Sequence, residues 1–328
     1  MFKESWLGYV FVEVDDSFFI DDIVLCEGVS LRKARLEELN LHLDHHLDGW
    51  WKLRGGNAKC FAYSRTITEG NHTKPLYDKK QWKQLVVECT NTNITPSQLN
   101  YVFSLSKADL RIGYVCFDKK SHSNPWTSWP QLGKWSENDP FTTKEKIRIE
   151  DLEELKININ AFVNLNLQDD MHQKHLRLVH MFNYLDNMVD SSPFKYLGYF
   201  SIIEGILTHK PSGSDNVDSI QKQLIRNVKL INNRIVCSGR LGINYELFNT
   251  PKAKTIFSKL YSLRSSIAHG SDYEKSIGDI LKIQTIKHDN KYGATRPLFY
   301  WIRDLAKSLL MYSFIEPQLY LDLTDDGK

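Results

Sequence analysis

Late in the chain, two residue types capable of acting on a charged substrate stand close together. In PKAKTIFSKLYSLRSSIAHG (251–270), Arg264 precedes His269 by five positions. A guanidinium can hold an anion bidentately, and an imidazole, with an ordinary pKa near ~6.5, can give or take a proton at neutral pH. The spacing alone is ambiguous. At ~100° per residue, the two side chains fall ~140° apart on an ideal helix. They approach one target only if the helix frays or turns at Gly270, which a glycine permits. The plainer reading is an Arg in a surface ion pair and a His meeting the negative end of the helix dipole. The segment SPFKYLGYFSIIEGILTHK (192–210) bears on the choice, because Glu204 falls on the same stripe as Leu197, Phe200 and Leu207. A carboxylate on an apolar face is costly unless a cation or donor meets it. Arg264 is the first candidate partner, and Arg226 of IQKQLIRNVKLI (220–231) is the second. The alternative is a Glu–Arg bridge that does no more than hold helices together.

These residues need a helical scaffold, and the second half of the chain reads as one. Leu152, Leu155, Ile159 and Phe162 recur at helical spacing, as do Leu178, Phe182 and Leu185. Ser192 and Pro193 form a cap and first-turn proline for a third helix, which stops before Pro211. A fourth follows Asp218, with Ile220, Leu224, Val228, Ile231 and Ile235 on one face. The fifth starts at Thr250-Pro251, carries Ile256, Leu260, Leu263 and Ile267 as its core stripe, and ends at Gly270 in the position after the cap. A sixth covers about 296–314. The first half differs in texture. WLGYVFVEV (6–14), KCFAYSRTI (59–67), QLVVECT (84–90) and DLRIGYVCF (109–117) read as strands. SLRKARLEELNLHL (30–43) reads as a helix capped by Ser30, and a further helix begins after Pro96. The fold class expected is α+β: an N-terminal mixed domain with a sheet core over 1–135, a linker over 136–149, and an all-α bundle over 150–328. The Pro- and Trp-rich run PWTSWPQLGKWSENDPFTTKEK (125–146) marks the linker.

Composition narrows the class. The chain has 328 residues, and its mean hydropathy is −0.41. No stretch approaches the ~18 apolar residues of a spanning helix, so no membrane partner is expected. The N-terminus lacks a basic region followed by an apolar one. The five cysteines are scattered without a CxxC pair, which fits a reducing cytoplasm better than a disulfide scaffold or zinc knuckle. Charge is uneven along the chain. Residues 210–310 hold 17 Lys and Arg against 8 Asp and Glu, a net of +9, and the remainder holds 25 against 32, a net of −7. A basic segment suits a polyanion such as nucleic acid, because phosphate neutralisation releases counterions. A solvated Lys-rich helix surface is the rival account.

The run Arg264-Ser-Ser-Ile-Ala-His269-Gly270, preceded by KLYSL and placed on the penultimate of the six helices, resembles the Arg-x(4–6)-His signature of HEPN domains. YFSIIEGIL with Glu204 and QLIRNVKLI with Arg226 resemble, in order and spacing, the ApeA-like branch of that superfamily. The likeness spans about 150–315. Ser265 stands where active members often carry Asn, Asp or His. The resemblance implies an endoribonuclease that needs no metal or other cofactor, of the kind used in antiviral (anti-phage) defence or toxin-type responses. It implies Arg264, His269 and Glu204 as catalytic residues and Arg226, Lys259 and Ser265 as RNA contacts. Each chain offers one motif His, so a homodimer is implied, with RNA as the other partner. The N-terminal domain, by analogy an ApeA-like accessory domain, would sense an unidentified ligand or protein trigger. A module that dimerises and binds RNA or a protein without catalysis is the rival.

Other groupings carry less. HLDHHLD (42–48) lacks a second run of metal ligands. His172 and His175, beside Asp169 and Asp170, read as a solvated face. Gly55-Gly56 makes no phosphate loop. Trp126, Trp129 and Trp135 could stack on bases, and Trp50, Trp51 or Trp82 could line a ligand pocket.

Overall fold

The structure is a computed structural model, and it describes residues 5–11, 22–39, 66–69, 72–75, 84–91, 93–107, 110–117, 124–125, 147–165, 170–186, 188, 192–209, 219–238, 242–250, 252–285 and 291–324. The chain is an α+β protein and divides into two compact units, Met1–Asn164 and Leu165–Lys328.

The first unit is built on an antiparallel sheet of six strands in the order β2-β3-β6-β1-β7-β8. They are β1 (Trp6–Phe11), β2 (Ile23–Cys26), β3 (Val29–Lys33), β6 (Leu85–Cys89), β7 (Arg111–Phe117) and β8 (Asn124–Pro125). β4 (Thr66–Glu69) and β5 (His72–Pro75) pair separately as a hairpin. β1 lies inside the sheet, with Tyr9 opposite Val86 on one side and Tyr114 on the other. The Trp6 indole N–H donates to the carbonyl of Ile94, and the Tyr9 hydroxyl to that of Glu38, both at 3.0 Å. Helix α1 (Pro96–Leu105) starts at a capping box formed by Thr95 and Gln98.

Two expectations fail in this unit. The segment expected as a helix over 30–43 is strand β3 at its start, and among its described residues only Leu36–Glu38 forms a helical turn. Gly28, at φ +73°, turns β2 back into β3, and Leu31 then pairs with Val87. Sheet pairing outweighs the weak helical preference of SLRK. The other failure is the domain boundary. Helix α2 (Ile149–Val163) belongs to the first unit, not to the bundle. Its stripe of Leu152, Leu155, Ile159 and Phe162 is buried, and the helix packs on β2 and α1. Apart from its last residues, the expected linker over 136–149 lies outside the described residues, as do His42–Asp48 and Trp50, Trp51, Trp82, Trp126, Trp129 and Trp135.

The second unit contains α3 (Asp170–Asp186), α4 (Pro193–Leu207), α5 (Ile220–Cys237), α6 (Ala253–Ala268), α7 (Tyr273–Leu281), α8 (Lys291–Ile315) and α9 (Pro317–Thr324). α4 is the central helix: α3, α5, α6, α8 and α9 all pack on it. Its sequence is apolar all round rather than striped, as such a position requires, and Tyr196, Tyr199, Phe200, Ile202, Ile203, Ile206 and Leu207 are buried. A Cβ on Gly198 would stand 2.3 Å from a Leu185 methyl, so the glycine sets how closely α3 approaches. α7 and α9 were not anticipated, and with them the motif helix α6 is no longer penultimate. Among the described residues no helix is long and apolar enough to cross a membrane.

His172 and His175 are buried, contrary to the solvated face expected for them. The His175 ring lies edge-on to Phe314 and Tyr320, with ring centres 6.0 and 6.2 Å away. Burial, reinforced by the charges of Lys174 and His172, pushes its pKa down to about 4. The unfolded chain therefore takes up this proton before the folded one. Stability should fall as pH drops from about 6.5 towards 4, by about 3 kcal/mol from this residue. Urea unfolding midpoints across that range should show a decline that His175→Phe abolishes.

Candidate functional site

The site is set by one polar side chain on the central helix. Glu204 opens the last turn of α4 and is only 9% exposed. Arg264, on the last turns of α6, reaches it: Nε and Nη2 both donate to Glu204 Oε2, at 3.2 and 2.9 Å. Of the two candidate partners, the carboxylate takes Arg264. Arg226 on α5 is exposed, and its Nε donates to Oδ1 of Asn227 at 3.2 Å. The other carboxylate oxygen, Oε1, is buried and accepts no hydrogen bond. Burial pushes the Glu204 carboxyl above its usual pKa, and the charge and hydrogen bonds of Arg264 oppose that shift without cancelling it.

The pairing leaves the guanidinium half used. With the Nε–Nη2 edge on Glu204, the Nη1 side has no partner among the described residues, and the Arg264 side chain is 26% exposed. An anchored guanidinium with an open edge suits one phosphate or carboxylate held bidentately. The anchor is itself fixed by packing. The Tyr196 hydroxyl donates to the Leu260 carbonyl at 3.0 Å, and Phe200 meets Tyr261 edge-on, so α4 and α6 are held together just before the pair.

His269 stands where α6 stops. It is the C-cap residue, and its N–H donates to the Ser265 carbonyl at 3.0 Å. Gly270 follows at φ +64°, with its N–H to Ile267 and that of Ser271 to Ser266, a Schellman closure. The helix thus turns at the glycine and not earlier, and the His269 side chain is exposed. It takes no part in the Arg264–Glu204 hydrogen bonds.

The remaining predicted residues scatter. Ser265 is half-buried beside Arg264. Lys259 is half-buried and close enough to Asp279 on α7 to help lower that carboxyl's pKa, after the larger effect of Lys282. Lys222 and Lys229 flank Arg226 on the exposed face of α5 and were missed; their i, i+4, i+7 spacing carried the signal. Among the described residues no three His, Cys, Asp or Glu side chains form a group that could hold a metal. An open apolar groove of about 460 Å³, lined by Arg177, His180, Met181, Tyr184, Leu185 and Met188, includes none of the predicted site residues. No protein-family model, curated protein or solved structure matches the chain.

Two substitutions test this geometry. Because Glu204 is harder to ionise folded than unfolded, its contribution to stability falls as pH rises from the usual carboxylate range through its raised pKa. The stability difference between wild type and Glu204→Gln should shrink over that window in urea titrations, and a constant difference would refute the assignment. A Cβ on Gly270 meets nothing within 4 Å. Gly270→Ala should therefore cost only the left-handed backbone penalty, roughly 1–2 kcal/mol, read as a lowered urea midpoint with an unchanged slope.

Proposed function

We propose that this protein is an endoribonuclease of the HEPN type, cutting RNA without a metal at a site completed by two copies of the chain. The observation that carries the reading is Arg264: a cation fixed by a buried carboxylate, with an open edge, five residues before an exposed imidazole that has no hydrogen-bond partner among the described residues. That set can perform transesterification at phosphorus. One copy's His269 accepts the proton of a ribose 2′-hydroxyl, and the oxygen attacks the adjacent phosphorus. The P–O5′ bond breaks, and the second copy's His269, entering protonated, donates to the leaving oxygen. The products are a 2′,3′-cyclic phosphate and a 5′-hydroxyl end. Arg264 bears the charge that builds on the phosphoryl oxygens, and Glu204 keeps it aimed.

Each chain offers one motif His, His269, which makes the homodimer part of the proposal, since acid and base must both be present. Arg226, Lys259 and Ser265 remain proposed RNA contacts, Arg226 at the best-exposed position of the three. A role in antiviral or toxin-type defence, a cytoplasmic setting, and a sensing task for the first unit belong to the same proposal.

Purified protein incubated with total RNA in EDTA should yield fragments ending in 2′,3′-cyclic phosphate, and His269→Ala should lower the rate by at least a hundredfold. Identical cleavage by both proteins would overturn the assignment. RNA binding by a dimer that never cuts would establish the non-catalytic module instead.

A further inference from the structure

α5 carries a one-sided charge pattern of which the nuclease reading uses only Arg226. Its 18 residues, IQKQLIRNVKLINNRIVC, include Lys222, Arg226, Lys229 and Arg234 and no Asp or Glu. The neighbouring α6, AKTIFSKLYSLRSSIA, also lacks an acid and adds Lys254, Lys259 and Arg264. Surface helices of this protein are not acid-poor in general, since α2 holds four carboxylates in IEDLEELKININAFV. Within α5 the cations are sorted. Lys222, Arg226, Lys229 and Asn233 follow i, i+4, i+7, i+11 spacing and are exposed, whereas Leu224, Val228, Ile231 and Ile235 face the bundle. Arg234, off the stripe, pairs with Glu316 at 3.1 Å. Leu230 and Val236 are also exposed, at 42% and 54%. They add apolar area to the same side.

The stripe is anchored near the Arg264 pair. The Asn227 amide donates to the Leu207 carbonyl at 2.6 Å, and Gln223 Oε1 accepts from the His209 N–H at 2.9 Å. The start of α5 is therefore pinned to the end of α4, one turn beyond Glu204. Three cations over seven residues span about 10 Å of helix axis, the length of about three phosphates at the ~3.4 Å spacing of a stacked strand.

We infer that the exposed face of α5, through Lys222, Arg226 and Lys229 with Asn233 beside them, is a track for the sugar-phosphate backbone of single-stranded RNA leading to the Arg264 site. This rests on the ribonuclease reading for the choice of RNA and deepens it by assigning the strand a path outside the reacting groups. Recognition is assigned to phosphates, because two of the three cations are lysines, which present charge without a rigid fork for base edges, and the Arg226 fork suits a phosphate bidentately.

The test measures binding without cleavage. A fluorescent 2′-O-methyl oligouridylate has no free 2′-hydroxyl to attack phosphorus, so wild-type protein can be titrated with it by anisotropy over a range of salt. The double reversal Lys222→Glu/Lys229→Glu should weaken binding by roughly tenfold or more and reduce the slope of log K against log salt by about 1.4, from ~0.7 for each lost contact. Lys252→Glu/Lys275→Glu makes the same net charge change at exposed positions off the stripe and should weaken binding far less. A DNA strand of the same length should behave like the RNA analogue. The track is overturned if the α5 reversal leaves binding unchanged, if the control pair is equally damaging, or if wild type binds anionic vesicles and not the oligomers. If ordinary RNA is never cut but the α5 reversal still abolishes binding selectively, the track stands and the nuclease reading falls.

Discussion

A carboxylate on the helix at the centre of a bundle constrains everything packed around it. Glu204 cannot be left as a bare charge on α4, because several kcal/mol of hydration would be lost with nothing to replace it. Arg264 answers that need, and so the register of α6 against α4 is specified by a polar contact as well as by the apolar seam. Tyr196 and Phe200 set the spacing from below, through Leu260 and Tyr261. The arrangement has a chemical consequence. A guanidinium fixed along one edge loses little further entropy when its other edge takes an anion, which is what preorganised electrostatic stabilisation requires. The orphaned Oε1 and the raised Glu204 pKa show that the anchoring is incomplete in energy, though close in geometry. Sites that bind charge are where such imbalance is expected to be tolerated.

The end of α6 sets where the imidazole goes. Arg264 and His269 point well apart on a continued helix, and helical hydrogen bonding runs through His269, whose N–H meets the Ser265 carbonyl. The left-handed Gly270 turns the chain only after the imidazole. His269 is left in solvent, with only its backbone committed to the cap. α5 is organised on a different principle: its apolar face holds the bundle, and its cationic face is not balanced by any acid of its own. Anchored guanidinium, free imidazole and one-sided charge all come from three helices that meet around the C-terminal end of α4.

The longer helices of the second unit were legible because their signals are local, whereas the short α7 and α9 were not read. Pro193 in the first turn, Gly270 after the cap, and the Leu224–Val228–Ile231–Ile235 stripe depend on residues within a turn or two of each other. Even the need for a cation beside Glu204 followed from a one-residue anomaly, an acid among apolar neighbours. The errors arose where the deciding partner is distant in sequence. Leu31 is in a strand because Val87 lies beside it. The stripe of α2 has the same form whether it faces helices or a sheet, and it packs against β2 and α1 of its own unit. His175 reads as polar beside two Asp residues, yet it is enclosed by Phe314 and Tyr320 from the far end of the chain.

The amino-acid order by itself therefore determined the α+β class, the faces of the main helices, the start of α4 at Ser192-Pro193 and the stop of α6 at Gly270, the basic bias of the late segment, and which acid required a cation; the start of α6 it misplaced, since Lys252 and not Thr250 is the cap. Each of these is a property of neighbours in the chain. Tertiary structure alone decided which arginine answers Glu204, which edge of it stays open, that His269 faces water, and to which unit α2 belongs. Those outcomes depend on the relative placement of elements tens of residues apart, and periodicity along one element says which face is apolar without saying what will cover it.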